Sequence, residues 1–460
     1  MTIALDAASV LERMDTVLSE PDSSEVELAL LGGRCLLTRF ADGEIHQNVD
    51  EERIIAHLRM VVGRNDMARV AAVRTTRLDA AALRSAGLRA IDMALAMEPT
   101  TGFPGLPSST DSDRPLPPFH ERQTAASGPA FRADQVALAT EEARRLGYAA
   151  AGYYRITEGG FGTWGEPDVF AIGNNWGLRR CQIRTAVDLM VGITTPAGGT
   201  GWAVQWGTGR SQVDPVATGA RAVAKARASE NPRALASGTY KVLLEPPAVA
   251  ELLQFLGPLF AGRAVAERRS VIASRLGGKV ASDIVTLRTD PFHPQLGGRV
   301  FDDEGVPTQP LTLIDAGWQR DLCHGFTETM TAGARIAGRD PNGYSPLQPT
   351  SADAVPRYMV LEGGSGSVDD LQQRHPDCLR VTRLWYNRYV NPRDATITGM
   401  TRDGFFQMSG AEILHGIHNM RYTGSVLSML EGTLDMSESV RIGDSLCPAL
   451  VTENFHLVAG

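Results

Sequence analysis

Apolar positions recur at helical spacing in five stretches of this chain and at strand spacing in many more. Residues 6–19 read as an opening helix with Leu11, Met14, Val17 and Leu18 along one side. From Glu25 to Thr76 the alternation is that of an antiparallel meander, turned at Ala-Asp-Gly-Glu and Gly-Arg-Asn-Asp. A second helix, over 76–97, carries an apolar stripe of Leu83, Leu88, Ile91 and Leu95. Residues 98–128 are rich in Pro, Ser and Gly with no sustained period, which predicts a linker or a long surface loop. Helices follow over Ala130–Leu146 and Pro215–Ala228, with strands between them around a tight Asn-Asn turn.

The stretch from Lys241 to Arg320 divides the chain. Val242, Leu243 and Leu244 form a strand, and Pro246 and Pro247 suit a first helical turn, where a missing N–H costs least. Val249, Leu252, Leu253, Leu256, Leu259 and Phe260 then keep a helical period. Beyond it the pattern is strand and loop, apart from a short helix near Asp369–Arg374. The polar run 343–359 predicts a long loop over a cleft or an interface. The expected fold is α+β with two domains. Residues 1–238 form a mixed sheet-and-helix domain that looks like two copies of one sheet-plus-helix pattern, and 239–460 form a β-rich domain.

Composition narrows the class. A chain of 460 residues exceeds one ordinary core. A formal charge of -8 gives no reason to expect general nucleic-acid binding. The first residues lack a basic segment leading into an apolar run, so no signal peptide is expected, and no apolar run is long enough for a membrane span. Five scattered cysteines without a CxxC read as reduced thiols of a cytoplasmic protein.

Candidate chemistry is sparse. No HExxH occurs, and the helix beginning at Pro247 has no histidine. His415 and His418, spaced HxxH, would share a metal on a helix, but Gly416 favours a strand or bend that sends them apart. Cys447 is either a thiolate nucleophile served by His456 or His415, or a small buried hydrophobe. Asp302–Gly305, Asp-Asp-Glu-Gly, is either a cation site or an acidic turn. Gly363, Gly364 and Gly366 lie in a glycine-rich loop that suits close approach of a peptide backbone or a loose turn. Trp202 and Trp206 share one strand face and either bury against the other domain or face a partner.

Ser-Arg-Leu-Gly-Gly-Lys from Ser274, together with Phe-Asp-Asp-Glu-Gly-Val-Pro-Thr from Phe301, resembles the TldD/PmbA family, also called the TldD/TldE peptidase system. The likeness extends to Ala-Ile-Gly-Asn-Asn-Trp-Gly, to the Pro-marked helix and to the late segment around Arg402–Leu430. It implies a cytoplasmic peptidase system of two related subunits. The TldD-like one carries zinc through a HExxxH helix and a late cysteine, and the PmbA/TldE-like one lacks that signature. Leu253, Gln254 and Pro258 stand where the His, Glu and His would be. Leu and Pro cannot donate to zinc, and Gln cannot act as a carboxylate base. The resemblance therefore implies a non-catalytic subunit without a cofactor of its own. It would bind extended peptide or unfolded protein beside a zinc-bearing TldD-like partner, or as a homodimer when alone. The alternatives are a peptidase in its own right, using His415, His418 and Cys447 or a cysteine mechanism, and a non-proteolytic scaffold.

Overall fold

The strand alternation of the first half resolves into a single sheet. The computed structural model describes residues 7–18, 25–108, 119–334 and 336–459. Helix α1 (Ala7–Leu18) precedes β1 (Glu25–Ala41), β2 (Glu44–Val62), β3 (Arg69–Thr75) and α2 (Ala80–Leu95). After α3 (Arg122–Ala125) and α4 (Pro129–Arg145) come β4 (Ala149–Gly160), β5 (Val169–Asn174), β6 (Arg179–Cys181), β7 (Arg184–Thr194), β8 (Thr200–Gly207) and α5 (Pro215–Ala228). The order is β3-β2-β1-β4-β7-β8, with β5 joined to β1 and β6, so one eight-stranded sheet replaces the two copies expected from sequence. Asp42 and Gly43 close the first hairpin with φ of 51° and 76°, the double left-handed geometry of a type I′ turn.

Helix α2 forms where predicted but buries another face. Leu83, Ala86, Ala90 and Ala94 are buried, whereas Leu88 and Leu95 face outward. Small side chains let the helix lie close on the sheet, and that proximity outweighs the larger residues of the other stripe. The predicted linker is anchored at both described ends: Phe103 and Leu106 join a small core with Val61 and Ala68, and Phe119 is buried. Its residues 109–118 lie outside the described residues, as do Asp6 and Ser19 of the predicted opening helix.

The second region is β-rich. It opens with β9 (Gly238–Leu244) and α6 (Pro246–Leu256) and continues with β10 (Leu287–Thr289), β11 (Leu311–Asp315), β12 (Trp318–Gln319), β13 (Met359–Leu361) and β14 (Leu379–Asn391). It ends with β15 (Thr396–Ser409), β16 (Glu412–Gly416), β17 (Arg421–Ser425), β18 (Thr433–Met436), β19 (Val440–Ile442), β20 (Ser445–Cys447) and β21 (Leu450–Val458). One sheet runs β14-β9-β21-β17-β15-β16 with β18 on β21, and a β14–β15 pairing closes five of its strands into a ring. The other runs β12-β11-β10-β13-β20-β19. Leu252, Leu253 and Leu256 of α6 enter the large core shared by both sheets. Short helices at Phe326–Met330 and Val426–Glu431 escape the sequence reading, which had strand and loop there. A run of five or six residues does not display a helical period.

Candidate functional site

Strand alternation builds a cleft between the two regions. Even positions of β1, such as Leu36 and Phe40, pack into the core beneath α4 and α5. Odd positions, Cys35, Leu37 and Arg39, face the other way and line a cleft of about 970 Å³. Trp202, Val204 and Trp206 of β8 continue that wall. The opposite wall is α6 and the turn after it, where Pro247, Glu251, Gln254 and Pro258 follow one another at three- and four-residue steps. The chain around Arg357 closes one end, as the long polar loop of the sequence predicted.

Both tryptophans are half-buried on the cleft wall, each under a guanidinium. Arg383, from β14, stands 4.8 Å from the Trp202 ring centroid, and Arg155 stands 5.8 Å from that of Trp206. Arg155 is itself fixed by Asp188 at 2.8 Å. Arg383 is fixed by Asp403. Glu251 is a site residue the sequence reading missed. It accepts a 3.0 Å hydrogen bond from Asn387, which in turn accepts one of 2.6 Å from the Tyr422 hydroxyl. Burial pushes the Glu251 carboxyl upward, and Asn387 and Arg383 only partly oppose it. Its position one turn before Gln254, on the stripe that starts at Pro247, was the available signal.

A charged cluster forms the Arg357 end. Arg357 donates to Asp168 and to Asp303, each at 3.1 Å. Arg299 reaches both aspartates and Arg184 reaches Asp168. Burial alone would raise the Asp168 carboxyl, but Arg299, Arg357 and Arg184 outweigh it and hold it well below the carboxylate range. Asp302 accepts the N–H groups of Glu304, Val306 and Ser345, and burial followed by the nearby Glu304 pushes it up to about 7. Glu304 pairs with Arg59 at 3.1 Å. The Asp-Asp-Glu-Gly segment is thus a buried acidic turn that fastens the second region to the first.

The other predicted site residues divide. Gln254 and Pro258 line the cleft, while Leu253 points into the core. Gly363, Gly364 and Gly366 lie outside the cleft lining; the first two press against the backbone of 436–439. His415 sits on β16, with His418 just beyond it, at one end of the seven-stranded sheet. Cys447 is on β20 of the other sheet, fully buried, with its Sγ 3.4 Å from the Pro246 carbonyl. Burial pushes its thiol far up, which disfavours the thiolate a nucleophile needs. The structure does not bring this trio together, and among the described residues no group of three or more His, Cys, Asp or Glu side chains is placed to hold a metal ion. Leu253, Gln254 and Pro258, with neither imidazole nor carboxylate among them, do not fit a zinc centre. No helix among the described residues is long and apolar enough to cross a membrane.

This two-region α+β fold has known counterparts. Residues 237–459 match the PmbA/TldA metallopeptidase C-terminal domain. The match places residues 237–459 in the TldD/PmbA-type peptidase family. It is 25% identical over 243 residues to a metalloprotease of Methanothermobacter thermautotrophicus, covering 50% of this chain and 49% of that one. It is 22% identical over 235 residues to an uncharacterized protein of Methanocaldococcus jannaschii, covering 50% and 53%. The chain thus spans about half the length of the curated relatives it matches. The crystal structure of TldE from Thermococcus kodakarensis superposes with a TM-score of 0.77 at 19% identity, over 98% of this chain and 99% of that one. A proposed modulator of a DNA gyrase from Thermotoga maritima superposes with a TM-score of 0.77 at 17% identity, over 95% and 96%. At these identities the superpositions show a shared fold.

Proposed function

We propose that this chain, with residues 1–238 and 239–460 as its two domains, is a non-catalytic subunit of a TldD/TldE-type peptidase assembly. In this reading it holds an extended peptide in its cleft, beside a TldD-like subunit that carries the zinc. The assembly is cytoplasmic and dimeric. The observation that carries the proposal is the cleft wall itself. Helix α6 stands in the family's domain and faces the cleft with Glu251 and Gln254, with Pro258 just beyond it, but it offers no imidazole. The space, the paired tryptophans and the exposed arginines suit a polypeptide with mixed side chains.

The test is metal analysis and peptidase assay of this chain alone and mixed with a HExxxH-bearing family member. The expected result is no stoichiometric zinc and no cleavage alone, with cleavage in the mixture above that of the partner by itself. Zinc-dependent cleavage by the isolated chain would identify it as a peptidase in its own right. Failure to bind either peptide or partner would leave a scaffold role.

A further inference from the structure

The charge count at the Arg357 end of the cleft is unbalanced. Arg184, Arg299 and Arg357 meet only Asp168 and Asp303 within ion-pair distance among the described residues, three guanidiniums to two carboxylates. Both aspartates are fully engaged. Asp303 gives one oxygen to Arg299 and the other to Arg357, and Asp168 bonds Arg357 with Arg184 and Arg299 each 3.7 Å away. The Nε atoms of Arg184 and Arg299 are buried without a hydrogen-bond partner. The surplus positive charge therefore sits in a largely water-free setting, where it attracts an anion more strongly than in water.

Only one of the three arginines opens onto the cleft. The Arg184 and Arg299 side chains are 8% and 2% exposed, and that of Arg357 is 40% exposed. Two aspartates fix its guanidinium plane, and its carbonyl accepts the Thr289 hydroxyl. Tyr358, next in the chain, holds a left-handed φ of 52° although its side chain is buried, and its hydroxyl accepts from Arg184 at 3.1 Å. Such backbone strain persists where surrounding contacts over-determine a position. The other acids of the cleft are occupied elsewhere. Glu166 accepts from the Trp164 N–H, Asp444 from the Thr163 hydroxyl and Glu251 from Asn387.

We infer that Arg357 is the docking point for a carboxylate of the bound peptide, either its chain-terminal carboxylate or an acidic side chain, so that the cleft anchors its ligand at this end by charge. A planar guanidinium with unused N–H groups matches a carboxylate in two-point fashion. The inference rests on the peptide-holding role proposed above.

The test measures fluorescence anisotropy of the full chain with three fluorescein-labelled octapeptides of Gly, Ala and Phe. One ends in a free acid, one in an amide, and one in an amide with a glutamate near its end. The expected result is roughly tenfold tighter binding of the acid than of the plain amide, a typical effect of a charged hydrogen-bonded contact. Arg357→Gln should erase that preference, so that the variant binds the acid and the plain amide equally. If the glutamate peptide matches the acid, the side chain is an accepted source; if it matches the plain amide, only the chain terminus is read. Equal binding of acid and both amides to the unaltered chain would overturn the inference and leave the cleft reading standing. Absence of binding by all three would overturn the cleft reading itself. A preference that survives in Arg357→Gln would move the anchor to Arg39 or Arg74, the other exposed arginines of this cleft. The comparison of acid with amide needs no variant, so it holds even if Arg357→Gln folds poorly.

Discussion

Arg59 holds two carboxylates at once, Glu27 at 2.7 Å and Glu304 at 3.1 Å, with all three side chains buried. Two acids against one base leave a negative charge in surplus. Burial pushes Glu27 up to about 7 despite the pull of Arg59. The folded state then keeps a proton that the unfolded chain releases near pH 4.5. Through this group, stability falls as pH rises from about 4.5 to about 7 and is flat above, by roughly 1–3 kcal/mol in all. Urea unfolding between pH 5 and 8 should show that decline, and Glu27→Gln should make it shallower, leaving the share of Asp302, which burial also pushes up to about 7. Arg59→Met strands both carboxylates and should cost about 3–5 kcal/mol, read as a lower urea midpoint. The acidic turn containing Glu304 was legible in the sequence, but its partner was not. Arg59 lies 245 positions away, and no local pattern records which distant guanidinium a buried acid will meet. Cys447 shows the same limit, since its identity suggested chemistry and only its burial removes it.

Among the elements, two helical glycines with opposite surroundings show what packing adds to propensity. Gly87 in α2 has open space where a Cβ would stand, whereas a Cβ at Gly219 in α5 would lie 2.0 Å from the Ala139 carbonyl oxygen of α4. Alanine is the better helix former at both by about 1 kcal/mol. Gly87→Ala should therefore raise the thermal midpoint. Gly219→Ala should lower it, by a cost of about 1–3 kcal/mol, because two helix backbones must part. Equal gains at both positions would refute the close α4–α5 contact. Strands were read well because alternation survives wherever one face is buried: β8 sets Trp202 and Trp206 on a single face, as their spacing required. Hydrophobic size points to another face of α2, because the sheet selects the alanine side for its fit. The short helices of the second region were invisible for lack of length.

At the scale of the molecule, the site is the gap between two differently built regions. Half of it could be read from the chain: the tryptophan strand, the imidazole-free helix and the polar loop. Their meeting in one cleft could not, because it depends on how the regions dock. A peptide seated there lies against Trp164, Trp202 and Trp206, three of the six tryptophans. Its binding should shift the intrinsic emission, and a Trp164→Phe, Trp202→Phe, Trp206→Phe triple variant should lose most of that shift while remaining folded. A shift that persists would place the peptide elsewhere.

The docking itself has a further consequence. Val300 and Phe301 share a core with Ala29, Leu31, Val169 and Ile172 of the first region, and the acids that follow reach Arg59 and Arg357. Residues 237–459 produced as a fragment would bare that greasy seam and strand its ions. They should precipitate, or melt without a sharp transition, unless the preceding half is co-expressed. A lesion in the acidic turn would then be felt as a change in the width of the opening, although no atom of it reacts, because the turn is the rivet on which the jaws hang.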